Sequence, residues 1–70
     1  MAHDDFNPPN KQEVKILSLL SEGRTQKDVA AIIFRSLRTV QTYTYQMRRR
    51  YRCGSTGQLL LKANKRGWIE

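Results

Sequence analysis

Apolar residues in this chain recur at three- and four-residue steps in four short stretches, each opened by a polar residue able to cap a helix, and this pattern predicts four helices. Asn10-Lys11-Gln12-Glu13 sets an amide residue three places before a carboxylate, the reciprocal pairing that satisfies free N–H groups at a helix start. Ile16, Leu17 and Leu20 then share one face, with Leu19 beside them, and Gly23 is placed to end the helix in the left-handed conformation. Thr25-Gln26-Lys27-Asp28 repeats the capping pattern ahead of Val29, Ala30 and Ile33. Ser36, a second good N-cap, follows after only Phe34 and Arg35, which leaves room for a tight turn and nothing more. The third stretch carries Leu37, Val40, Tyr43, Met47 and Tyr51 on one face, and Gly54 is expected to break it. Ser55 with Gln58 opens a fourth, with Leu59, Leu60 and Ala63 apolar and Gly67 as its stop. The expected architecture is therefore all-α, with helices over residues 10–22, 26–33, 37–51 and 56–66. Residues 1–9, with two aspartates and two prolines and no apolar period, read as a flexible lead or linker stub before a domain over residues 10–70.

The third stretch needs arbitration, because Thr39 to Tyr45 is rich in β-branched and aromatic residues that favour strands. A strand there would have no clearly apolar side, whereas helical spacing gathers Val40, Tyr43 and Met47. The expected helix has weak intrinsic propensity and depends on packing.

Charge changes the picture from scaffold to binder. Seventy residues bury only about 60% of their unfolded surface, which excludes an enclosed active site. The net charge is +7, and from Val29 to Ile69 nine basic residues meet no acidic one. Such a one-sided distribution is the footprint of a polyanion binder, nucleic acid foremost; a merely solvated basic surface would have acids interspersed. Two short helices with a tight turn, the second showing Arg38, Gln41, Thr42, Tyr45, Arg48 and Arg49 away from its apolar row, suit a DNA groove. Four arginines among Arg48 to Arg52 exceed what a helix C-terminus needs for its dipole, so phosphate contact accounts for some of them.

Other chemistry is thin. Cys53 is the single cysteine, reads as a small packed apolar residue and fits a reducing, cytoplasmic setting. His3 lies in the lead without metal-binding company, and Glu13 is fully explained as a capping residue, with no second carboxylate or histidine placed for catalysis. The reading is of a protein that is not an enzyme and needs no cofactor or metal. No apolar run of about 18 residues is present, so no membrane span is expected. Leu61, Trp68 and Ile69 are left over from the short helices, and an exposed patch near the C-terminus would make a small dimer contact.

Together, Glu13, Ile16-Leu17, Leu19-Leu20, Glu22-Gly23, Lys27-Asp28-Val29-Ala30, Ser36, Thr39-Val40 and Ser55 resemble the LuxR/FixJ-type, or GerE-like, C-terminal DNA-binding domain, over Asn10 to Ile69. Phe34-Arg35-Ser36 before Thr39-Val40 looks most like the Rcs-type regulators of enteric bacteria. The resemblance implies a four-helix domain in which helices two and three form a helix-turn-helix and helix four makes a dimer contact, here through Leu60, Leu61 and Asn64. It implies base contacts from Gln41, Thr42 and Tyr45, and phosphate contacts from Lys27, Arg38, Thr39, Arg48 and Arg49. Tyr43 stands where a histidine is common, Tyr51 where a leucine is, and Arg52 where a glycine usually ends helix three. The expected function is sequence-specific binding of double-stranded DNA by a bacterial transcription regulator, as a weak homodimer or with a related regulator. The alternative is a protein-interaction module that pairs with another regulator and modulates its DNA binding. An RNA binder would be expected to show aromatics on a sheet, which the pattern does not offer.

Overall fold

Each helix begins on a side-chain cap and ends in the same kind of turn, so most of the architecture follows from local chemistry. The computed structural model describes residues 7–69. They form α1 (Lys11–Ser21), α2 (Gln26–Ile32), α3 (Leu37–Arg50) and α4 (Thr56–Lys65), with no strand among the described residues. The expected all-α, four-helix fold and the helical reading of Thr39 to Tyr45 hold. Asn10 with Glu13, and Thr25 with Asp28, make complete capping boxes, and the Ser36 hydroxyl accepts from the Thr39 N–H at 3.1 Å. At α4 the expectation needs correcting. The Ser55 hydroxyl accepts from the Gln58 N–H, but the Gln58 side chain accepts from the Gly54 N–H at 2.7 Å rather than from Ser55, so the box closes one residue early.

All four helices close in a Schellman turn, in which the N–H two residues past the cap reaches back to a carbonyl of the last turn: Arg24 to Leu19, Arg35 to Ala30, Cys53 to Arg48 and Trp68 to Ala63. That turn needs one residue at positive φ. Gly23 and Gly67 supply it at no steric cost, but Phe34 and Arg52 adopt it at φ 59° and 58°. The expectation that Gly54 breaks α3 is thus corrected: the helix stops at Arg50, and Arg52 takes the left-handed position where the resemblance would have a glycine. Both residues accept a strain of about 1–2 kcal/mol.

The core consists of Ile16, Leu17 and Leu20 from α1, Val29 and Ala30 from α2, Val40 and Met47 from α3, Leu59 and Ala63 from α4, and the flanking Tyr51 and Ile69. The buried row of α3 is Val40, Thr44, Met47 and Tyr51; Leu37 is exposed and Tyr43 only half-buried, contrary to the expected row. Steps of four, three and four residues keep a straighter stripe than the row through Leu37 and Tyr43. Thr44 can be buried because its hydroxyl is satisfied twice, donating to the Gln41 carbonyl at 2.9 Å and accepting from Gln26 Nε2 at 3.2 Å. The second bond ties the first turn of α2 to the middle of α3, the pair of helices that pack most extensively on each other.

Glu13 does more than cap. Its Oε1 accepts from the Asn10 N–H at 3.0 Å and from Arg50 Nη2 at 2.7 Å, so one buried carboxylate joins the start of α1 to the end of α3. Burial works against the Arg50 charge, but the Glu13 carboxylate, helped by Tyr51, outweighs it and holds the guanidinium above its ordinary pKa. Glu13→Ala removes a cap worth about 1 kcal/mol and an ion pair worth about 1 kcal/mol more, discounted because Arg50 is partly solvated. The expected drop in melting temperature is roughly 10 °C. A double-mutant cycle with Arg50→Ala should recover a coupling of about 1 kcal/mol; strictly additive losses would show the pair to be idle.

The C-terminal apolar residues are largely consumed. Ile69 is buried and Trp68 tilts against the Tyr51 ring, centroids 4.5 Å apart, so the expected exposed patch shrinks to Leu61 with its polar and basic neighbours. Cys53 is half-buried against the core. Asn7, in the stretch read as a lead, accepts the Tyr51 hydroxyl at 2.7 Å; His3 and the remainder of residues 1–6 lie outside the described residues.

Candidate nucleic-acid interface

Because α3 buries one stripe, the opposite stripe must face solvent, and its composition is polar and basic throughout. Arg38, Gln41, Thr42, Tyr45, Gln46 and Arg49 follow one another at steps of three, one, three, one and three residues, all exposed. Over those eleven steps the stripe runs about 16 Å. Two adjoining shallow depressions share it: Arg38, Thr39, Thr42, Tyr43 and Gln46 line one, and Arg38, Gln41, Thr42, Tyr45 and Gln46 line the other.

The residues expected at base edges, Gln41, Thr42 and Tyr45, therefore lie together, with Arg38 at one end and Arg49 at the other. Thr39 is half-buried, and its hydroxyl lies 2.9 Å from that of Ser36 at the head of the helix. Lys27 is exposed in the first turn of α2, and Arg48 is half-buried beside the stripe. Gln46 was missed by sequence reasoning. The signal was present, since it stands four residues after Thr42 and eight after Arg38, but a glutamine without charge or apolar character does not announce a face.

At the far end, three side chains form one unit. Arg49 Nη1 donates to the Tyr45 oxygen at 3.2 Å, and the guanidinium carbons of Arg48 and Arg49 each lie 5.9 Å from the Tyr45 ring centre. The hydrogen bond from Arg49, then the charges of Arg49 and Arg48, hold the phenol below its usual pKa against a small opposing effect of burial. Arg50, by contrast, though partly exposed, is paired with Glu13 and lies over the Tyr51 ring at 4.8 Å, so the arginine run divides between residues open to a ligand and one tied to the scaffold.

Asp28, the acid closest to the stripe in sequence, is engaged in the α2 cap, and Glu22 lies beside Arg24 at 3.4 Å. On α4, Leu60 is half-buried against the core while Leu61 and Asn64 are exposed; Leu61 shares a shallow groove with Gln58, Lys62, Lys65 and Arg66. Among the described residues no helix is long and apolar enough to cross a membrane.

A capped helix pair joined by a four-residue turn, its second helix showing a basic stripe and its first latched across it by Gln26 and Thr44, defines a helix-turn-helix domain. The domain model of the bacterial regulatory proteins of the luxR family matches residues 10–63, and the chain belongs to that family of DNA-binding transcription regulators. No individual curated protein matches the chain.

Proposed function

We propose that the chain binds double-stranded DNA sequence-specifically, with α3 lying in the major groove and α4 contacting a second subunit. The carrying observation is the uninterrupted polar and basic stripe from Arg38 to Arg49 opposite the buried row of α3. A major groove about 12 Å wide admits a helix presenting such a stripe. Gln41 is suited to the N6 and N7 edge of adenine, and the Thr42 methyl to a thymine methyl. Tyr45 already accepts from Arg49, so its own O–H is left to donate, which fits purine N7, guanine O6 or thymine O4. Lys27, Arg38, Thr39, Arg48 and Arg49 fix register on phosphates, and Gln46 joins them as a further groove residue.

Pairing through α4 rests on Leu61 and Asn64, with Leu60 behind them, and is weak. Since α4 carries Lys62 and Lys65 and no acid, two copies would meet like charge to like charge, which supports a related but different regulator as much as a homodimer. The same feature supports the second reading, a module that pairs with another regulator and alters that partner's DNA binding. Neutralising the α3 arginines separates the two readings, because only the first loses its function.

The deciding experiment is selection from a random duplex library, sequenced at two salt concentrations. Enrichment of a motif, partly palindromic with half-sites about one turn apart if a homodimer binds, is the expected result. With Lys27, Arg38, Arg48 and Arg49 on phosphates, log affinity should fall against log salt with a slope of roughly −3.6. Salt-sensitive binding with no enriched motif would reject the stand-alone specific binder in favour of the partner-dependent module.

A further inference from the structure

Thr44 is a polar residue in a row that folding asks to be apolar. It is 3% exposed and stands between Val40 and Met47 in the buried stripe of α3, where a valine would fill the same space and leave no hydroxyl to satisfy. Its hydroxyl accepts from Gln26 Nε2 at 3.2 Å and donates to the Gln41 carbonyl at 2.9 Å, so a chain of hydrogen bonds runs from the first residue of α2 to the backbone of α3. Local helix chemistry does not call for Gln26 either. The start of α2 is already capped by Thr25 and Asp28, and a first helical position requires no side chain of its own. Both ends of the chain of bonds adjoin the candidate DNA contacts. Lys27 follows Gln26 and is exposed, while Gln41 and Tyr45, also exposed, lie three residues before Thr44 and one after it.

We infer that Gln26 and Thr44 are positioning residues for base readout: their hydrogen bond fixes the rotation of α3 against α2, and so the placement of Gln41 and Tyr45 relative to the phosphate held from α2 by Lys27. This role rests on the proposed placement of α3 in the major groove. Apolar packing between two helices is non-directional and tolerates a small rotation, whereas a hydrogen bond weakens steeply once its angle is lost. A rotation of α3 by about 15° carries a side-chain tip at a radius of about 6 Å through about 1.5 Å. That displacement breaks a bidentate contact to a base edge, which needs both bonds within about 3.2 Å. Flexible lysine and arginine stems absorb it, because attraction to a phosphate is set by charge and needs no such fit. The latch therefore acts on discrimination between sequences and leaves non-specific binding alone.

The test compares Thr44→Val, Thr44→Ser and Gln26→Ala with wild type in the full chain. It measures melting temperature and affinity for two duplexes of equal length, one selected from the random library and one of scrambled sequence. Thr44→Val should melt at the wild-type temperature or above it, because it deletes a buried hydroxyl without changing shape. Its affinity for the scrambled duplex should stay within about twofold of wild type with the same salt slope, while its preference for the selected duplex falls about tenfold, the discrimination carried by one bidentate base contact. Gln26→Ala should show the same fall. Thr44→Ser, which keeps the hydroxyl and gives up a buried methyl, should melt lower yet keep most of the preference. Stability and discrimination thus move in opposite directions across the two Thr44 variants, which a merely structural role would not produce. An unchanged preference in Thr44→Val overturns the inference, and so does an equal loss on both duplexes, which would make the latch a support of the fold alone. A loss in Thr44→Val without one in Gln26→Ala overturns it too, since the hydroxyl would then act without α2. Failure of the underlying DNA reading looks different: the wild-type chain would enrich no duplex at all, and the role of the latch would fall with it.

Discussion

Tyr51→Ala is expected to leave the chain without a cooperative thermal transition. Tyr51 has no solvent exposure, and it is the largest of the fully buried side chains. Its ring meets that of Trp68, centroids 4.5 Å apart, and has the Arg50 guanidinium 4.8 Å from its centre, while its hydroxyl donates to the Asn7 carbonyl at 2.7 Å. Burial pushes the phenol above its usual pKa, though Arg50 pulls the other way. Truncating a buried aromatic to alanine costs about 3–5 kcal/mol, and a domain of this size has only a few kcal/mol in all. The loss removes contacts to α3, to the C-terminal residues and to the segment before α1 at once. Tyr51→Phe isolates the polar part. It keeps the ring and forfeits one hydrogen bond of about 1 kcal/mol, so it should fold and melt about 4–8 °C lower. Circular dichroism melts of the two variants check both statements. A Tyr51→Ala protein that melted cooperatively near the wild-type temperature would show that the aromatic stack is not what joins the ends of the chain.

The double variant Arg38→Ala/Arg49→Ala should lose about a hundredfold in DNA affinity at moderate salt while melting within a few degrees of wild type. Both side chains are exposed at opposite ends of the α3 stripe, and the hydrogen bond from Arg49 to Tyr45 is itself at the surface, so the fold asks little of either. Two of four cationic phosphate contacts would be gone, and the salt slope should relax from roughly −3.6 to roughly −1.8. Arg50→Ala makes the contrast within the same run of arginines. Its guanidinium is held by Glu13 at 2.7 Å, so its removal should lower stability and leave the slope unchanged. Fluorescence anisotropy over a salt series measures all three proteins. Equal slopes for the double variant and wild type would mean that the stripe does not carry the phosphate contacts.

The division inside the arginine run shows where sequence reasoning stops. The helix starts at Asn10, Thr25, Ser36 and Ser55 were legible because a cap and its N–H lie three residues apart, close enough for the pattern to contain the whole interaction. The stops at Gly23 and Gly67 were legible for the same reason. The basic, acid-free stretch after Val29 was likewise readable, and helical spacing alone brings Gln41, Thr42 and Tyr45 to one exposed face, while a role for them at base edges comes from the family resemblance and is part of the proposal.

What only the tertiary structure decided depends on groups distant in the chain. Thr44 rather than Tyr43 faces the core because Gln26, eighteen residues away, satisfies its hydroxyl. Of three consecutive arginines, Arg50 is the one held by the carboxylate of Glu13, distant in the chain, and no local pattern distinguishes it from Arg49. Phe34 and Arg52 hold the left-handed conformation because packing of the helices on either side outweighs a local preference for glycine. Trp68 and Ile69 return to the core because Tyr51 and α1 offer them a surface that no reading of the last residues could supply. Local hydrogen bonding set the elements; long-range burial and charge pairing chose which residues became scaffold and which remained free to bind.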